Sequence, residues 1–139
     1  MILSKLREDL IRDEGEVLHA YEDHLGFLTI GYGRLIDKRR GGGISKQEAL
    51  LMLDNDILRV IDQLQEKTGF DEHPEAVQHA LVNMGFQLGV NGLLGFKKMW
   101  AHLANRDYGA AADEALDSRW AQQTPERAKR VTDLMRSEA

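Results

Sequence analysis

At 139 residues, with 42% hydrophobic positions and only two prolines, the chain has the size and composition of one globular, mainly helical domain that can bury a core. The absence of cysteine excludes disulfides, thiolate metal sites and thiol nucleophiles, and is compatible with folding in a reducing cytoplasm. A net charge of −5 lacks the positive field that draws a protein to nucleic acid or to an anionic wall, and Lys5, Arg7, Glu8 and Asp9 argue against a secretory leader or membrane span.

Leu3, Leu6 and Leu10 recur at helical spacing among charged residues, which predicts an amphipathic helix over about residues 1–13 with one buried stripe. Gly15 is its natural stop, leaving Glu14 on the last turn, where the negative end of the helix dipole disfavours a second negative charge. From Leu18 to Gly33 the period changes to an alternation, with Phe27, Thr29 and Gly31 against Leu28, Ile30 and Tyr32. This predicts a small β-hairpin or meander with Asp23 in a tight turn, a wetter setting in which a carboxylate stays ionised. Gly41, Gly42 and Gly43, after Lys38, Arg39 and Arg40, read as a flexible loop.

Ser45 and Glu48 form a capping box that opens a long amphipathic helix carrying Ala49, Leu50, Leu53, Ile57, Val60, Ile61 and Leu64, closed by Gly69. Pro74 suits the first turn of a core helix through Val77, Leu81, Met84 and Leu88. Asn83 reads there as a buried hydrogen-bonding residue, and Gly85 as a point of close approach by another backbone or a sugar ring. Phe86 and Gln87 depart from that stripe and can face a cleft, although periodicity alone favours Phe86 as ordinary core. Leu93 to Leu103 predict one further helix and Tyr108 to Leu116 a short alanine-rich one; Thr124 and Pro125 read as the cap and first turn of the last helix. Trp120 can anchor a core or bind sugar. The arginines and lysines beyond Ser118 suit a solvated face, an anion-binding strip, or a support for an acid elsewhere.

Chemistry concentrates near the N-terminus. Glycoside hydrolysis needs two carboxyl groups flanking one bond, and Glu14, Asp23 and the Thr29 hydroxyl cluster around a short glycine-punctuated stretch. With 23 acidic residues in the chain, two of them lying close together is also what an ordinary solvated surface provides. The five histidines have no zinc-site spacing, so a zinc amidase is disfavoured, and no glycine stretch matches a phosphate-binding or dinucleotide fingerprint. No metal or other cofactor is expected.

The blocks DEG at 13–15, YED at 21–23, LTIGYG at 28–33, ALVNMGFQLG at 80–89, GF at 95–96 and SRWAQQTPERAKRV at 118–131 resemble the phage-type lysozymes, or endolysins, in the family's order along nearly the whole chain. The resemblance implies an α+β, mostly helical, two-lobed lysozyme-like fold as one catalytic domain over 1–139. It has a small β-containing lobe at about 15–44, a connecting helix at about 45–67, and a helical lobe at about 70–139 that takes in helix 1–13. It further implies a muramidase in which Glu14 is the general acid, Asp23 directs the attacking water and Thr29 helps to hold it. On the same basis Leu35 and Phe86 line the sugar site and Arg127 is an electrostatic partner of Glu14. The expected partner is bacterial peptidoglycan, met by a monomer made in the host cytoplasm and released through holes formed by a separate holin. A catalytically silent wall-binding module or a lytic transglycosylase is the alternative. The chain departs from the best known member of the family at Arg34, where that protein has a histidine, and at Met99 and Glu114, where it has a serine and an asparagine.

Overall fold

The computed structural model describes residues 3–139, so residues 1 and 2 of the helix expected over 1–13 lie outside the described residues. Among the described residues there are eight α-helices, two short 3-10 turns and one three-stranded antiparallel sheet. The backbone clusters into two compact units, Met1–Leu51 and Met52–Ala139.

In the first unit, helix α1 spans Leu3–Glu14 and stops where Gly15 turns left-handed at φ +74°, its N–H bonding back to the Ile11 carbonyl. Its leucines share one face, as their spacing predicts, but that face is not buried: Leu3 is 62% and Leu10 47% exposed. Periodicity identifies which residues share a face, not whether anything covers it. Strands β1 (Val17–Glu22), β2 (Leu28–Gly31) and β3 (Arg34–Leu35) then form an antiparallel meander in chain order. In the middle strand Thr29 lies opposite Tyr21 on one side and Leu35 on the other, and it is the one buried residue of the sheet.

The stretch after β3 is not the flexible loop that three glycines suggest. Asp37 caps a 3-10 turn at Lys38–Arg40, Gly41 closes it in the left-handed region, and the Gly43 N–H bonds to the Leu35 carbonyl. Gly42 lies so close to the Leu35 carbonyl that a side chain there would collide with backbone. Helix α2 (Lys46–Lys67) opens on the expected capping box: Glu48 N–H donates to Ser45 Oγ, and Ser45 N–H to Glu48 Oε1. It ends at Lys67, two residues before Gly69.

The second unit carries the core. Helices α3 (Glu75–Leu88), α4 (Val90–Leu94), α5 (Lys97–Ala104), α6 (Tyr108–Leu116), α7 (Arg119–Gln123) and α8 (Pro125–Arg136) enclose Leu64, Leu81, Met84, Leu93, Met99, Leu103 and Met135, all 0–1% exposed. Burial of each such side chain stabilises the fold by about 1.5–3 kcal/mol. The small side chains of Ala111, Ala112 and Ala115 on α6 let α5 and α8 pack directly against it. Gly85 serves a helix contact rather than a backbone or sugar approach, since a Cβ there would meet Val60 Cγ1 at 2.9 Å.

Several local expectations are corrected. The single helix expected from Leu93 to Leu103 is two, broken at Gly95 and Phe96. Helix α7, five residues long, is too short to leave a periodic signal. Pro74 is the N-cap of α3 rather than part of its first turn. Thr124 stands at the N-cap of α8, but its hydroxyl donates to the Trp120 carbonyl instead of accepting a helix N–H. Asn83 is exposed, because it lies off the arc of α3 defined by Val77, Ala80, Leu81 and Met84.

Candidate active site

Glu14, Asp23, Thr29 and Leu35 all belong to the first unit, where the end of α1 and the meander position them. Glu14 is the last residue of α1, and its exposed carboxylate lies against Gly33, in the turn between β2 and β3. A Cβ built at Gly33 would stand 2.6 Å from Glu14 Oε2 and 3.1 Å from its Cδ. Gly33 therefore does two things: it takes φ +78°, and it leaves room for the acid.

Asp23 sits where β1 turns into β2. Its Oδ1 accepts the backbone N–H of Leu25 and of Phe27, each at 2.9 Å, and Gly26 at φ +84° brings the chain round. The Asp23 N–H in turn donates to the Phe27 carbonyl at 2.9 Å. That same carbonyl accepts the Thr29 hydroxyl at 3.0 Å. Thr29 is 3% exposed, so its one donor is committed and its oxygen remains an acceptor. Leu35, half-buried on β3, lies directly opposite Thr29.

Charge organises the neighbouring turns. Arg34 Nη1 donates at 3.0 Å both to the Gly43 carbonyl and to Glu48 Oε1, so the departure from histidine ties β3 to the start of α2. The Arg34 bond, followed by the bonds from Ser45, holds the Glu48 carboxyl down to about 2. Asp37 is also held down to about 2, first by its side-chain bonds to Arg39 and then by the Arg39 backbone N–H. Tyr32 donates to Glu16 Oε1 at 2.8 Å, and this bond raises its phenol above the ordinary value.

In the second unit Phe86 is 44% exposed rather than core, and lines a cavity of about 410 Å³ with Leu53, Ile57, Ile61, Val82 and Arg127. Arg127 Nε donates to Asn83 Oδ1 at 2.9 Å and Nη2 to the Asn83 carbonyl at 3.3 Å. Trp120, 4% exposed, is a core residue whose Nε1 donates to Gln87 Oε1 at 2.8 Å. Met99 and Glu114 line a separate cavity of about 580 Å³, Met99 from the core side at 1% exposure. Among the described residues no cluster of His, Asp and Glu could hold a metal ion, and no helix is long and apolar enough to cross a membrane.

Three contributors escape a reading by residue type. Phe27 acts through its backbone, Gly33 through the side chain it lacks, and Arg40 through the Phe27 ring, over which its guanidinium lies 4.3 Å from the centroid. The spacing of Asp23 and Gly26 around a two-residue gap is the signal of a side-chain-closed turn and points to the first of them.

A mostly helical α+β chain with a small antiparallel meander, bearing one carboxyl on the helix before it and another in its first turn, has the lysozyme-like fold of a glycoside hydrolase. The phage lysozyme family model matches residues 12–137, and the chain belongs to that family. It is a lysozyme, with a peptidoglycan hydrolase role. Two relatives in Dictyostelium discoideum, probable T4-type lysozymes 1 and 2, are 29% and 30% identical over 96% and 94% of this chain and 95% and 92% of their own lengths. The pre-baseplate central spike protein Gp5 of Enterobacteria phage T4 is 32% identical over 91% of this chain, which spans 27% of that protein.

Proposed function

We propose that this lysozyme cuts the β-1,4 bond between N-acetylmuramic acid and N-acetylglucosamine by inverting general acid–base hydrolysis. Glu14 protonates the glycosidic oxygen as the C–O bond breaks. Asp23 removes a proton from a water that attacks the anomeric carbon from the opposite face, and the Thr29 oxygen accepts that water's other hydrogen. Leu35 and Phe86 contact sugar, and Arg127 is a supporting cation. The observation that carries this reading is the unlike setting of the two carboxyls: Asp23 is locked by two backbone N–H groups, while Glu14 is exposed beside a residue with no side chain.

The biological setting proposed is cell-wall lysis by a monomer made in a host cytoplasm and let out to peptidoglycan by a separate holin. The test compares reducing-end release from purified Gram-negative peptidoglycan by the wild type and by Glu14→Gln. A fall of at least about 10² to 10⁴-fold is expected. Release by Glu14→Gln at the wild-type rate rules out Glu14 as the acid, and binding without release by either protein marks a silent module. A first product of retained configuration by NMR overturns inversion, and an anhydro product by mass spectrometry replaces hydrolysis with transglycosylation.

A further inference from the structure

Phe27 occupies a position in the first unit that no chemistry-bearing side chain shares. Its N–H donates to Asp23 Oδ1, and its carbonyl accepts both the Asp23 N–H and the Thr29 hydroxyl. The backbone of this one residue therefore touches both groups to which the preceding reading assigns the attacking water. The Phe27 N–H and C=O lie on the two peptide units that meet at its Cα, so a displacement of that Cα moves both contacts at once.

The Phe27 side chain meets the turn after β3. The Arg40 guanidinium carbon stands 4.3 Å over the Phe27 ring, within the range of a cation–π contact. The turn that presents Arg40 is itself fixed at both ends. Asp37 accepts the Arg39 N–H and grips the Arg39 guanidinium, while the Arg40 and Gly42 N–H groups bond back to the Asp37 carbonyl. Gly43 N–H bonds to the Leu35 carbonyl, and Leu35 pairs with Thr29. Asp37 takes Arg39 as its ion partner, and among the described residues Arg40 is in no ion pair. Its charge is thus available to the ring.

We propose that Arg40 and Phe27 form a positioning pair for the water-activating side of the site: the stacked guanidinium pins the Phe27 ring, and the pinned Phe27 backbone sets Asp23 and Thr29. The pair touches no substrate and transfers no proton. It rests on Asp23 and Thr29 having the roles proposed above, and it assigns function to a loop that residue type marks only as basic and glycine-rich.

The experiment measures kcat and KM for reducing-end release from a soluble peptidoglycan fragment, with thermal melting and two-dimensional amide NMR on every variant. Phe27→Leu and Arg40→Gln are each expected to lower kcat by about two- to fivefold, the scale of an exposed cation–π contact, with KM unchanged. Phe27→Trp, which keeps a π face, and Arg40→Lys, which keeps the cation, restore most of the rate. The double variant Phe27→Leu/Arg40→Gln loses no more than either single one. In Arg40→Gln the amide signals of Leu25 and Phe27 shift although neither residue is changed. Full kcat in Arg40→Gln, unmoved Leu25 and Phe27 signals, losses confined to KM, or failure of both conservative variants each overturn the proposal. Asp23→Asn separates the two readings: a wild-type rate there removes the role of Asp23, while the Arg40→Gln amide shifts still decide whether the pair sets this turn.

Discussion

Substituting Gly33 by alanine separates the two tasks of that glycine. The added Cβ lies 2.6 Å from Glu14 Oε2, closer than real Cβ contacts allow, but the obstructing atom ends a flexible exposed side chain that can swing aside. Relief by that route makes the steric contribution to stability small. What remains is the backbone term: alanine at φ +78° costs about 1–2 kcal/mol. For a domain of 139 residues this lowers Tm by about 3–7 °C. On the role proposed for Glu14, activity responds differently, because its carboxyl must move by several tenths of an ångström, and misplacement on the ångström scale can cost about 10²-fold. Gly31→Ala is the matched control, with φ +74° and nothing within 4 Å of the added Cβ. The two variants should show similar melting shifts by calorimetry, whereas reducing-end release should fall about 10–100-fold only in Gly33→Ala. Equal activity in the two would refute the idea that Gly33 makes room for the acid.

Three further outcomes follow from geometry elsewhere. Glu48 and Asp37 have folded values near 2 against ordinary values of 4.5 and 3.8, so their contribution is complete above about pH 4.5 and is lost as pH falls towards 2. Melting curves from pH 7 to 2 should show this loss, and Glu48→Gln should flatten part of it. His73 is lowered below its ordinary 6.5, first by burial and then by Arg106, and its Nδ1 lies 3.0 Å from the Tyr108 hydroxyl. An unfolded chain that takes up the proton more readily makes stability fall as pH drops through about 6.5, and His73→Gln should remove that step from chemical denaturation measured between pH 8 and 5. Gly85→Ala gains about 1 kcal/mol of helix propensity but forces Val60 Cγ1 from 2.9 Å, an overpacking that costs about 1–3 kcal/mol. A lower urea midpoint is expected, and an unchanged or higher one would show that the two helices separate freely.

The sequence makes legible those features that local chemistry determines. The capping box at Ser45, the stop at Gly15, the Asp23 turn and the alanine-rich α6 follow from residue type and spacing within a few positions, and each stands where it was expected. What periodicity cannot supply is a partner for an apolar face, so the leucines of α1 read as buried and are exposed. Nor does it register a break as short as Gly95 and Phe96, since the apolar residues on either side keep nearly the same phase. The candidate site divides the same way. Glu14, Asp23 and Thr29 announce themselves by functional group, whereas Phe27 contributes its backbone N–H and carbonyl and Gly33 an empty volume, and neither has a chemical signature in a list of side chains.

The Asp23 turn also makes the two oxygens of one carboxylate inequivalent. Oδ1 is occupied by two backbone donors, and among the described residues no bond reaches Oδ2. An asparagine can present its carbonyl oxygen to those same donors, so the turn would persist, with an amide NH₂ pointing where the second oxygen had been. The replacement would keep the shape of the loop while reversing hydrogen-bond polarity at the second position, from acceptor to donor. A glutamate, one methylene longer, would have to give up either the turn or the aim. The backbone around this corner thus fixes the length of the side chain, and only the hydrogen-bonding character of the second oxygen separates aspartate from asparagine.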